Sequence, residues 1–80
     1  MIDTEDHPRL NTVAVLRLGD RLHQTATYLE QIAGRLECLG KVATIQQREF
    51  QATTLRIDTN SLRSAAAMLR ADGDAVKDLV

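Results

Sequence analysis

Aromatic side chains are almost missing from this chain: one Phe, one Tyr and no Trp in 80 residues. A β-sandwich or barrel draws on aromatic and β-branched residues and on frequent turn residues, and one Pro with four Gly supplies few turns. The lone cysteine, Cys38, excludes an internal disulfide and makes no zinc site by itself. No apolar run approaches the roughly 18 residues of a membrane span. The opening MIDTEDHPRL is acidic and does not read as a secretory signal, so the expected location is the cytoplasm. A net charge of -1 gives no global pull toward nucleic acid or an anionic membrane.

What is present, 44% hydrophobic and 26% charged residues, has a globular balance and fits one small all-α domain. A single core in so short a chain supplies only about 3–5 kcal/mol. Further stability is therefore expected from a second subunit or a helical partner.

Residues 1–8 carry Asp3, Glu5 and Asp6 without Lys or Arg and read as an acidic, flexible N-terminus. The hairpin domain is expected to span 9–80. Pro8 marks a helix entrance and Asn11 an alternative N-cap, with Leu10 and Val15 spaced as a hydrophobic staple. A seven-residue repeat follows. With Val15 at position a, the a series continues through Leu22, Leu29, Leu36, Ala43, Phe50 and Ile57. The d series is Leu18, Thr25, Ile32, Leu39, Gln46 and Thr53. Ten of these thirteen positions are apolar, a pattern that predicts a long helix or coiled coil.

Asp58 reads as the cap of a second helix, with Ile57 and Leu62 as its staple. The repeat then restarts with Leu62, Leu69 and Val76 at a and Ala65, Asp72 and Leu79 at d, the a series stepping five residues after Ile57 where seven would continue it. That slip places the break at 58–61. A competing turn lies at 38–41, where Gly40 suits the position just past a helix end. Asp72-Gly73-Asp74 is a further candidate for a kink or helix end. The favoured architecture is a helix over about 9–56 with a shorter antiparallel helix over about 59–79, assembling into a coiled coil or bundle. At 1.5 Å per residue the arms would be roughly 70 and 30 Å long, and the mismatch leaves apolar surface for self-association. A turn at Gly40 would give matched arms.

The e positions Gly19, Ala26, Ala33 and Gly40 are all small. An interior Gly costs about 0.5–1 kcal/mol relative to Ala, so the stripe reads as a place where a neighbouring backbone comes close. Leu18, Leu22, Leu29, Ile32, Leu36 and Leu39, with Gly19, Ala26, Ala33 and Gly40, form the candidate partner-binding seam. Replacing Leu29 or Leu36 with Asp is expected to dissociate the assembly. Val13, Ala14, Val15, Leu16 and Leu18 make the front of the helix apolar nearly all round, a second place for a partner.

Residues 9–57 hold seven basic and four acidic side chains, but the signs alternate along the helix and form no basic block. A small nucleic-acid-associated regulator is therefore the alternative function, not the leading one. His23 falls at an outer b position and His7 in the acidic stretch, neither with a second ligand at metal spacing. No nucleophile, base and orienter come together around Cys38. No enzyme activity, cofactor or metal is expected. The leading function is a protein–protein interaction module.

The stretch Leu55-Arg56-Ile57-Asp58-Thr59-Asn60-Ser61-Leu62-Arg63-Ser64-Ala65-Ala66-Ala67-Met68-Leu69-Arg70-Ala71-Asp72 resembles the opening helix of actinobacterial type VII (ESX) secretion-associated proteins. Their wider superfamily consists of helical hairpins, usually with a Trp-x-Gly turn. Cys38-Leu39-Gly40 lies where such a turn would fall, with Cys in place of Trp. The family's C-terminal tyrosine signal has no counterpart, since Tyr28 is the only tyrosine. The resemblance implies a hairpin partner protein exported without a signal peptide.

Overall fold

The computed structural model describes residues 11–80, and the expectations placed on residues 1–8 and Leu10 lie outside them. Two helices follow in order, α1 (Thr12–Ile45) and α2 (Glu49–Lys77), packed antiparallel as a helical hairpin. The Asn11 side chain caps α1, its Oδ1 accepting from the Ala14 N–H at 3.1 Å.

The chain turns at Gln46-Gln47-Arg48, at neither expected place. The Arg48 N–H donates to the Ala43 carbonyl at 2.8 Å and the Gln47 N–H to the Thr44 carbonyl at 3.0 Å. Gln47 sits at φ 58°. These are the two bonds and the left-handed residue of a Schellman helix ending, a position where Gly is usual and Gln unusual. Gly40 lies inside α1 and Asp58 inside α2, so neither ends nor caps a helix. Asp72-Gly73-Asp74 is crossed without a break.

The five-residue slip is genuine but belongs between Ala43 and Leu55, across this turn. The stripe of α2 is Leu55, Leu62, Leu69 and Val76, all half-buried, whereas Phe50 is 80% exposed and Ile57 57%. The arms are 34 and 29 residues long, so the expected length mismatch does not exist. Apolar surface is left over for a different reason, the width of the seam.

That seam is built on small residues. Gly19, Ala26, Ala33 and Ala43 are the buried residues of α1; Thr59, Ala66 and Gly73 are those of α2. Gly19 meets Gly73: a Cβ built on Gly19 would lie 3.1 Å from the Gly73 carbonyl oxygen, and one on Gly73 would lie 3.0 Å from that of Gly19. Stepping seven residues up one arm and seven down the other sets Ala26 level with Ala66, Ala33 with Thr59 and Gly40 with Ala52. Ala26, Ala33 and Ala66 are fully buried. Thr59 enters this stripe because its hydroxyl donates to its own helix, to the Leu55 carbonyl at 2.7 Å. The close approach leaves no room for bulk between the helices, so the leucines line the margins. Among the described residues, no large side chain is fully buried.

Candidate interaction surface

The a and e positions of α1 face α2, instead of the expected a and d positions. Leu22, Leu29 and Leu36 are half-buried there, and Gly19, Ala26, Ala33 and Gly40 lie beneath the opposing helix. The neighbour admitted by the small stripe is therefore the chain's own second arm. The d residues stand to one side: Leu18 is 49% exposed, Leu39 54% exposed and Ile32 half-buried.

At 100° per residue each helix has two flanks beside the seam. On one, the arms exchange charges. Arg70 donates to both carboxylate oxygens of Glu30, at 2.6 and 3.3 Å, and to the Thr27 hydroxyl at 3.0 Å. Arg63 holds Glu37 at 2.9 Å, and the Lys77 ammonium holds Asp20 at 2.6 Å while its aliphatic stem crosses Gly19. The Arg70, Arg63 and Lys77 hydrogen bonds each push their carboxylate, Glu30, Glu37 and Asp20, below its ordinary pKa. Glu37 has Lys41 four residues on along its own helix, yet its hydrogen bond reaches across the hairpin.

His23 also belongs to this flank and is not the outer, solvated residue its b position suggests. Its ring packs over Gly73, and Nε2 lies 2.8 Å from the Asp74 carboxylate. Nδ1 lies 3.4 Å from an Arg70 guanidinium nitrogen. Arginine has only donors, so Nδ1 accepts and the proton sits on Nε2, donating to Asp74. The ring locks the Gly19–Gly73 crossing in place. Near the turn this flank opens into a groove of about 430 Å³ beside Gly40 and Thr44, lined by residues of both charges.

The opposite flank carries no such lattice. It presents Leu18, Thr25, Ile32 and Leu39 from α1, Asp58, Ala65 and Asp72 from α2, and Leu79 just past its end, with the inner leucines partly open between them. Leu79 is 61% exposed; Tyr28 and Met68, 60% and 67% exposed, stand at its two edges. The hairpin is thus two-sided, one flank closed by ion pairs and the other open, apolar along α1 and of mixed character along α2. Of the residues named from the sequence as a partner-binding seam, Leu18, Ile32 and Leu39 lie on this flank; that the second arm shares it was not expected. The seven-residue spacing of Ala52, Thr59, Ala66 and Gly73, matching that of the first arm, is the signal that would have found it.

Among the described residues, no group of three or more His, Cys, Asp or Glu is placed to hold a metal ion. None of their helices is long and apolar enough to cross a membrane. Cys38 is an exposed, free thiol. No family model, curated protein or solved structure matches the chain.

Proposed function

We propose that this protein is a non-enzymatic interaction module that binds a helical element along its apolar flank, with Leu18, Ile32 and Leu39 at the centre of the contact. One observation carries the reading: at d positions of an uninterrupted repeat, Leu18 and Leu39 are left about half exposed and Ile32 half-buried by a hairpin whose other flank is closed by ion pairs. An apolar stripe of that length on a small helical protein costs solubility unless something covers it. The test is a photo-crosslinking residue in the full chain, at Thr25 on the apolar flank or at Arg56 on the charged one, activated in the producing cells. Adducts from Thr25 and none from Arg56 are expected. No adduct from Thr25 removes the reading.

Kinship with the type VII secretion-associated hairpins is a second reading, supported by the two closely matched helical arms. The turn at Gln46–Arg48 lies several residues beyond Cys38-Leu39-Gly40, and the resembling stretch forms the second arm instead of the first. Appearance of the chain in culture filtrate, without cell lysis, is the measurement that decides it; retention in the cells removes it.

A further inference from the structure

We propose that the occupant of the apolar flank is a second copy of this chain, related by a two-fold axis parallel to the helices, so that each α1 packs on the α2 of the other copy. The inference rests on the interaction reading above and adds the partner and its orientation.

The argument comes from four charges. Arg21 and Arg35 stand two heptads apart along the outer edge of the apolar flank on α1; Asp58 and Asp72 stand two heptads apart on the same flank of α2. Among the described residues none of the four takes part in an ion pair within the hairpin, where the pairs are Arg63–Glu37, Arg70–Glu30 and Lys77–Asp20, with Asp74 hydrogen-bonded to His23. The Gly19–Gly73 crossing fixes the register. With it, Arg21 lies within one residue of the level of Asp72, and Arg35 within one residue of the level of Asp58. Basic and acidic groups therefore sit at equal heights on opposite sides of one face.

Only one face-to-face rotation uses this. A two-fold axis along the helices preserves height and exchanges the sides, bringing Arg21 to Asp72 and Arg35 to Asp58 of the second copy, twice over. An in-plane axis across the helices would set arginine edge against arginine edge and aspartate against aspartate. The favoured arrangement also alternates helix direction around the bundle, each helix lying antiparallel to both neighbours. In it Ile32 comes nearest Ala65 and Leu18 nearest Leu79 of the other copy, while Leu39 covers the end of the face toward the turn. Two helices of about 10 Å diameter over the 29-residue length of α2 give a face of roughly 900 Å² per copy, the size of a standard stable interface.

The experiment is sedimentation equilibrium of the purified full chain over a dilution series. The wild-type chain is expected at dimer mass, dissociating on dilution. R21D/R35D and D58R/D72R are each expected to weaken the dimer about tenfold or more, since attraction becomes repulsion at four places. Mixed one to one, the two variants restore it, because every cross-copy contact is then again of opposite sign. The combined R21D/R35D/D58R/D72R chain restores it alone and serves as the folding control. A dimer indifferent to these reversals overturns the proposed orientation. A chain monomeric at every concentration, yet cross-linked from Thr25 to a different protein, overturns the second copy while leaving the interaction reading intact.

Discussion

At Gly19 and Gly73 the two backbones meet with only hydrogen atoms between them, and the neighbouring side chains have been shaped to that gap. A methyl group on Gly73 would stand 2.8 Å from the His23 ring and 3.0 Å from the Gly19 carbonyl oxygen, the second a backbone atom that cannot swing aside. Overpacking of this kind costs about 1–3 kcal/mol, partly offset by the better helix propensity of Ala. Gly73→Ala is expected to lower the unfolding free energy by about 1–2 kcal/mol in urea titration. Gly34 is the contrasting case, since a Cβ there meets nothing within 4 Å. Gly34→Ala should raise stability by about 0.5–1 kcal/mol in the same assay. Gln47, held at φ 58°, predicts the reverse substitution. Gln47→Gly relieves a strained left-handed residue and should stabilise by about 0.5–1 kcal/mol, read as a higher Tm. A Tm that falls would show that the Gln47 side chain holds the turn by some other contact.

Between the arms, the ion pairs make a pH prediction with a definite sign. Asp20, Glu30 and Glu37 are each held below their unfolded pKa by a basic partner on α2, chiefly through hydrogen bonds. Their contribution is complete above the ordinary carboxylate range and disappears as pH falls through the depressed folded values. Stability is therefore expected to be flat near neutrality and to decline below about pH 4, with a shallow slope because exposed pairs are weak. Arg70→Ala should flatten that decline, having removed the partner of Glu30; an unchanged profile would count against the pairing. These links were hidden in the sequence, where Arg63 and Glu37 are 26 positions apart. The existence of two helices was plain from the repeat, and so was the close-packing role of Gly19, Ala26, Ala33 and Gly40. The turn was not legible, because its left-handed residue is Gln47 where Gly would have marked it. Gly40 and Asp58, which do look like punctuation, serve as a seam residue and an open-flank residue. Reading Phe50 and Ile57 into the first repeat followed from the missed turn, since both happen to continue its count of seven.

For the molecule as a whole, the two-sided hairpin separates folding from binding more cleanly than the repeat alone implies. Leu29 and Leu36, the obvious targets from sequence, line the intramolecular seam. Leu29→Asp should therefore unfold the hairpin, costing about 3 kcal/mol or more, and would not test association selectively. Leu39→Asp, at a residue 54% exposed, should leave helicity by circular dichroism nearly unchanged while removing association in sedimentation. Loss of helicity in Leu39→Asp would mean that the flank belongs to the hairpin's own core.

Because α1 and α2 run antiparallel and differ in length by only five residues, Asn11 and Val80 emerge at the same pole, opposite the bend at Gln47. Tension pulling the termini apart would load the rungs in sequence like a zipper, opening Lys77 from Asp20 first and reaching the bend last. The hairpin is thus mechanically compliant to tension applied between Asn11 and Val80, whatever its resistance to heat.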